Sequence, residues 1–312
     1  MNERKPATGR DSPHGHNPAP GARTYLLSGQ PIVAKALSPG LYLVATPIGN
    51  LGDITLRGLE TLAAADLIAC EDTRITHRLL ERYGIATRLT PYHDHNAAAA
   101  RPKILARLAE SAAVALVSDA GTPLISDPGF KLVREAQAAG YRVTSIPGAS
   151  SVLAALGSAG LPTDRFFFEG FLPPKQTARR TRISELGTIQ ATLVLFETGP
   201  RVAEALADLA AVLGPREAAI CRELTKLHEE IRRSDLASLA TAYAEGGETR
   251  GEFVIVVASP APDAAPAVED VDKLLRRALS ESSLKDAVSA VAEATGIARR
   301  EIYQRALALV SR

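Results

Sequence analysis

The sequence predicts an α/β protein of two domains: a parallel α/β domain, then a mixed-sheet α+β domain, with a small helical module at the C-terminus. Three observations predict it. In the first half, short apolar runs end in small-residue loops and alternate with helical patterns, as parallel strands with crossover helices do. Beyond about residue 162, strand-like runs follow one another with fewer helices between them, which favours a mixed or antiparallel sheet. After a Pro/Ala stretch at residues 260–266, the remainder is helical throughout. A length of 312 residues fits about two domains.

Residues 114–129, VALVSDAGTPLISDPG, organise the first domain. An apolar run stops at Ser118-Asp119, and small residues and turn formers follow to Gly129. A helical pattern then runs from Phe130 to Gly140. This reads as a buried strand, a long loop at its carboxyl end and a crossover helix. Open α/β sheets bind ligands at that end. A loop without bulky side chains lets its backbone approach a ligand closely, so Asp119, Ala120, Gly121, Thr122 and Pro123 form a candidate cradle. The same residues would also serve as an ordinary turn-rich connection.

The other elements follow in order. Residues 1–39 are Pro, Gly, Ala and polar residues without a period, and the expectation is a disordered arm. Residues 41–46, LYLVAT, form the first strand and lead into Pro47, Gly49 and Asn50. These glycines match neither the dinucleotide fingerprint nor a P-loop. Residues 66–70, DLIAC, form a strand that delivers Glu71, Asp72 and Arg74 at its carboxyl end, as a polar wall of a site or as a cap for the next helix. Tyr92 to Asn96 make a polar loop before a helix over residues 97–111. A strand at 142–146 ends in Pro147-Gly148, and Ser150 and Ser151 open a helix of small residues. The link between domains falls at 161–164, so the domains span residues 40–162 and 163–260. In the second, strands are expected at 165–171, 192–196, 218–222, 228–233 and 252–258, with helices at 176–186 and from about residue 200 to 213. The module at 267–312 holds helices at 284–294 and 299–310 around a Gly296 turn, a helix-turn-helix-like pair.

Composition narrows the class. Apolar residues make up 46% of the chain, enough for a sizeable core. No apolar run approaches the roughly 18 residues of a membrane span, and no secretory h-region opens the chain. Cys70 and Cys221 lie in strand-like runs without metal or redox spacing and read as core thiols, which suits a cytoplasmic protein. His93 and His95 flank Asp94 but no further ligand cluster joins them, so no metal is expected. Net charge is +1, so nucleic-acid affinity must reside in local patches.

Several segments together resemble one family. They are TPIGNLGDIT from Thr46, CEDTR from Cys70, VSDAGTPLISDPG from Val117, PGASS from Pro147, GFLPPK from Gly170, ETGPR from Glu197, RELTK from Arg222 and GEFVIVV from Gly251. In this order they resemble the ribosomal small-subunit methyltransferase I family of the tetrapyrrole-methylase superfamily. Some relatives carry Ala-Pro-His where this chain has Thr198-Gly199-Pro200. The resemblance implies the two-domain tetrapyrrole-methylase architecture, S-adenosyl-L-methionine as methyl donor and a homodimer. It further implies methylation of the ribose 2′-oxygen of a cytidine in the 16S rRNA decoding region, with the 30S particle as substrate. It places the donor between the domains. Pro47, Gly49, Asn50 and the 119–123 cradle lie on the first side with Ser150 and Ser151, and Phe196, Leu224 and Thr225 lie on the second.

A ribose hydroxyl is a weak nucleophile, so a general base could add roughly 10²–10⁴-fold. Glu71, Asp72, Glu197 and a deprotonated Lys226 are the candidates, and the sequence does not choose among them. Asp127 is expected to order the cradle loop with Asp119. RNA contacts are expected from Arg74, Lys175, Arg179, Arg180, Arg182, Arg299 and Arg300, although a solvated helix face equally explains Arg179 to Arg182. Two rivals share these features: a corrin or porphyrin methyltransferase, and a non-catalytic RNA-binding factor.

Overall fold

The computed structural model describes residues 21–260 and 268–310. Five strands build the first sheet: β3 (Gly40–Val44), β4 (Leu67–Cys70), β5 (Leu89–Pro91), β6 (Ala113–Leu116) and β7 (Val143–Ile146). Their order is β5-β4-β6-β3-β7, and every pairing is parallel. Helices α1 (Leu56–Ala64), α2 (Thr73–Arg82), α3 (Ala97–Ala109), α4 (Phe130–Ala138) and α5 (Ser151–Ala159) make the connections. A parallel sheet needs cover on both faces, and strand alternation supplies it here. Ile68 and Cys70 pack with Leu62 and Ala115 on one side, while Ala69 packs with Leu116, Ile104 and Leu132 on the other.

The second sheet holds β8 (Phe166–Phe171), β9 (Thr192–Thr198), β10 (Glu217–Arg222), β11 (Glu230–Asp235) and β12 (Glu252–Val257), in the order β11-β10-β12-β9-β8. β8 pairs parallel with β9 and the rest are antiparallel, so the sheet is mixed. Helices α6 (Gln176–Leu186), α7 (Gly199–Leu213) and α8 (Leu236–Ala244) cover the face of Leu193, Leu195 and Ile255. The opposite face, Val194, Ala219, Val254 and Val256, packs on Val152, Ala155, Leu156 and Ala159 of α5. The small residues of α5 therefore joint the two domains. Close packing of this kind fixes the walls of the cleft between them.

The expected arm needs correction where it is described. Strands β1 (Thr24–Leu27) and β2 (Gln30–Val33) pair antiparallel about Ser28 and Gly29, both at positive φ (50° and 78°). Two positive φ values in a two-residue loop match the twist of a hairpin. Tyr25 is buried in the first core, Leu26 N–H donates to Tyr83 O (2.7 Å), and Arg23 pairs with Asp66 (2.6 Å). Residues 1–20 of that arm, with His14 and His16, lie outside the described residues.

Helices α9 (Val268–Glu281), α10 (Leu284–Thr295) and α11 (Arg299–Val310) form the C-terminal module. It has its own core of Val271, Leu275, Val288, Val291, Ile302 and Ala306. Ser283 caps α10 by accepting from Asp286 N–H, and Gly296 (φ 69°) ends it. Among the described residues no helix is long and apolar enough to cross a membrane.

Candidate active site

A cavity of about 270 Å³ lies between the sheets. On the first-domain side it is walled by Ile48, Ala120, Gly121, Thr122, Ser126, Asp127, Ser150 and Ser151; on the other by Phe171, Phe196, Glu197, Thr198, Leu224 and Val254. The cradle loop is stitched to neighbouring strand ends. Thr46 and Gly121 exchange both backbone hydrogen bonds (2.9 and 3.0 Å), and Thr122 Oγ1 donates to Ala149 O (3.2 Å). Gly121 has φ 84°, and a Cβ there would stand 3.3 Å from Ile48 Cγ2. Leu124 (φ 74°) and Ser126 (φ 62°) are held left-handed in the same loop. Across the cleft Glu223 (φ 51°) and Thr225 (φ 67°) flank Leu224 in the same way. Such conformations cost of order 1–3 kcal/mol each and persist only where the surroundings enforce them. Both walls are thus held in shape by their neighbours. Phe196 meets Phe168 (4.8 Å) and Phe171 (5.6 Å) edge-on, making one wall aromatic.

Of the four base candidates, only Glu197 lines the cavity. It is 2% exposed. Its Oε1 accepts from Thr198 N–H (2.8 Å), while Oε2 lies 3.3 Å from Arg201 Nη2 without an aligned hydrogen bond. Asp72 is engaged elsewhere: its carboxylate caps α2 through Arg74 N–H (2.8 Å) and binds the Arg74 guanidinium (2.6 Å). The hydrogen bonds from Arg74 hold its pKa down to about 2. Lys226 is corrected. Its Nζ is bound by Glu223 (2.7 Å) and Glu252 (2.8 Å). Burial pulls its pKa down, but these two carboxylates outweigh burial and raise it, so the amine stays a cation and is no base. Glu71 lies off the cavity wall, and burial first, then the charge of Asp119, raises its pKa.

Asp127, which the sequence leads one to expect as a loop-ordering group, has a further place. It lines the cavity. Burial, then the nearby charge of Glu71, pushes its pKa up to about 6, with Asp119 and Asp94 adding and Ser118 opposing. The signal in the sequence was the second Ser-Asp-Pro-Gly. What raises its pKa is burial first and then Glu71, which follows β4 instead of β6.

Ala120, Gly121, Thr122, Ser150, Ser151, Phe196 and Leu224 stand on the cavity wall, whereas Pro47, Gly49, Asn50, Asp119, Pro123 and Thr225 do not. Asp119 Oδ1 accepts from Asp72 N–H (2.9 Å) and ties the cradle to the end of β4. Asn50 accepts from Gly52 N–H (3.0 Å) and caps a short 3-10 turn, Leu51–Asp53. Gly49 packs against Lys226 and Thr225. Ile48, Ser126, Phe171 and Thr198 are wall residues that sequence reasoning missed. Cys70 and Cys221 are buried, and burial pushes both thiols up to about 11.

The basic helix needs a larger correction. Arg179 is 1% exposed and bound to Asp208 (2.7 Å) and Glu204 (3.3 Å), inside the second domain. Arg180 also holds Asp208 (2.6 Å), and Arg182 holds Glu169 (2.6 Å) and Glu185 (2.8 Å). Carboxylates thus already neutralise α6. Arg74, Lys175, Arg299 and Arg300 are exposed.

The model of a family described as Tetrapyrrole (Corrin/Porphyrin) Methylases matches residues 40–240, and that of an RsmI C-terminal HTH domain matches residues 265–310. A ribosomal RNA small subunit methyltransferase I of Mesorhizobium japonicum is 52% identical over 279 residues, covering 89% of this chain and 95% of its own. The chain belongs to the ribosomal RNA small subunit methyltransferase I family. A relative of that name from Pseudomonas aeruginosa is 45% identical and covers 86% of this chain and 96% of its own. Among solved structures, a diphthine synthase aligns at TM-score 0.56 and 22% identity over 70% of this chain and 89% of its own. A cobalt precorrin-4 methyltransferase aligns at 0.53 and 18% over 70% and 94%. At these identities the two structures speak to the fold alone, and they share its two-sheet body.

Proposed function

We propose that this protein transfers the methyl group of S-adenosylmethionine to the ribose 2′-oxygen of a cytidine in the 16S rRNA decoding region. The substrate in this reading is the 30S particle, and the enzyme acts as a cytoplasmic homodimer. Membership of the family carries the donor and the rRNA substrate: the 52% identity extends over 95% of a relative so named. The helical module at residues 265–310 favours RNA over a tetrapyrrole ring.

The cavity suits the donor. Gly121 leaves backbone space that a side chain would fill, Phe196 and Phe171 offer an aromatic wall, and Glu197 Oε2 is a buried acceptor without a hydrogen-bond donor. Gly121, Thr122, Ser150, Phe196 and Leu224 would hold it, and it supplies an activated methyl on a sulfonium. The protein must then bring the acceptor oxygen in line at about 3–3.5 Å. Asp127 accepts the 2′-hydroxyl proton: its pKa of about 6 leaves it ionised at neutral pH yet basic enough to help. Phe171 and Phe196 give the donor an apolar wall to pack against. Glu197, fixed by Thr198 and Arg201, orients rather than transfers protons.

Incubation with labelled donor and either 30S subunits or a tetrapyrrole tests the reading. Label is expected in a 16S rRNA ribose of the subunits. Label in the tetrapyrrole alone would overturn it, and donor binding without transfer to either would leave only a binding protein.

A further inference from the structure

Helix α2 carries Arg74, Arg78 and Arg82 at four-residue intervals. Residues so spaced share one face of a helix, about 6 Å apart along its axis. All three are exposed, whereas Thr76, Leu79 and Leu80 on the opposite face are buried. Arg74 is paired with Asp72, and its side chain remains 86% exposed. Arg78 and Arg82 have no carboxylate within ion-pair distance among the described residues. This is the reverse of α6, whose arginines are bound to Asp208, Glu204, Glu169 and Glu185.

The position of this ridge matters as much as its charge. Asp72, the cap of α2, donates its N–H to Asp119 Oδ1 (2.9 Å), and Asp119 precedes the cavity residue Ala120. The helix therefore starts at the cavity rim. Phosphodiester oxygens repeat along a strand, and a regularly spaced row of exposed guanidinium groups, of which Arg78 and Arg82 have no ion pair among the described residues, complements them. Resting on the rRNA methyltransferase reading above, we infer that α2 is the track that seats the RNA strand beside the target nucleotide, with phosphates on Arg78 and Arg82. Sequence alone hides this, because the denser basic cluster is on α6 and its neutralising acids lie elsewhere in the chain.

The test uses full-length protein with Arg78→Gln/Arg82→Gln and, as rescue, Arg78→Lys/Arg82→Lys. Retention of 30S subunits on filters is measured over a salt series, alongside donor binding by calorimetry. Expected for the glutamine variant are at least tenfold weaker subunit binding and a log–log salt slope shallower by about 1.4–1.8, since each of the two phosphate contacts contributes about 0.7–0.9. Donor affinity stays within twofold, and the lysine variant recovers most of the loss. Unchanged subunit binding and slope would overturn the inference. So would a loss of binding that tracks a change in self-association by sedimentation, which would make α2 a contact between copies. If wild-type protein binds 30S subunits but methylates nothing, the functional reading fails while this binding test still decides the role of α2.

Discussion

Gly49 and Lys226 meet across the domain boundary: a Cβ on Gly49 would stand 2.4 Å from Lys226 Cγ and 3.1 Å from Thr225 Oγ1. Lys226 has little room to yield, because Glu223 and Glu252 both grip its Nζ. Gly49 also sits at φ 153°, where side chains are disfavoured. The glycine after β3 is thus a point of closure between domains.

Gly49→Ala should accordingly wedge the cleft. The expected cost is about 1–3 kcal/mol in stability, with donor affinity reduced several-fold although the residue is off the cavity wall. Thermal melting and calorimetry on the same preparation check both, and an alanine variant with wild-type values in each would remove Gly49 from the closure.

Gly121→Val acts differently. The position needs φ 84°, and a branched side chain would press on Ile48 and enter the cavity. Donor affinity should fall tenfold or more, with a modest loss of stability. Wild-type affinity in folded variant protein, measured by calorimetry, would take Gly121 out of the binding wall.

Asp127→Asn should separate rate from stability. The wild-type carboxyl titrates at about 6 instead of 3.8 because burial and Glu71 disfavour its charge. The unfolded chain loses the proton near 3.8 and the folded protein near 6, so the group destabilises the fold increasingly through that window and fully above it. The asparagine variant should therefore be more stable than wild type at pH 8, by roughly 1–2 kcal/mol after allowance for solvent screening of a half-exposed group. Its single-turnover methylation should fall about 10²-fold or more, and the rise of rate with pH near 6 should vanish. A variant retaining that rise would shift the base to another group.

Much of this site is legible in the sequence because it is local. The loop after β6, the capping Ser150 and the aromatic Phe196 are set by runs of a few residues, and the unbroken apolar runs of β4 and β6 already specify a sheet covered on both faces. What is not legible depends on distant partners. The burial of Arg179 is decided by Asp208, on another helix, and the second carboxylate on Lys226, after its near neighbour Glu223, comes from Glu252 on another strand. The raised pKa of Asp127 comes from its burial first and then from Glu71, which follows β4. The β1–β2 hairpin was masked by its Pro- and Gly-rich surroundings, although Ser28-Gly29 between two four-residue runs was a usable signal. Helix α8, with its small residues, lacked a strong periodic stripe.

Asp208→Asn tests the corrected role of α6. It would leave Arg179 buried with Glu204 as its remaining acidic partner, at 3.3 Å. Breaking a buried pair by removing one partner costs about 3–5 kcal/mol, and urea denaturation should show a loss of that order. Binding of 30S subunits by the folded fraction should be unchanged. Normal stability together with weakened subunit binding would return Arg179 to the RNA surface.

The helical module gives the last expectation. Its core of Val271, Leu275, Val288, Ile302 and Ala306 is its own, so removing residues 261–312 should leave donor affinity unchanged. Subunit binding should weaken by about tenfold at low salt. Arg305 faces Asp272 and Glu301 (4.0 and 3.6 Å), and Arg299 bonds to Ser289, whereas Arg300 is exposed at the start of α11. Backbone N–H groups at a helix start add to phosphate attraction, so the Arg299–Arg300 end is the expected contact. The loss on truncation should shrink as salt rises, because counterion release drives phosphate binding. If the module only shielded apolar surface on the body of the protein, the truncated chain would aggregate or melt lower, and Arg299→Glu/Arg300→Glu would bind subunits normally. Filter retention of that double variant at two salt concentrations distinguishes the cases, and normal retention at both would exclude an RNA contact at this helix start.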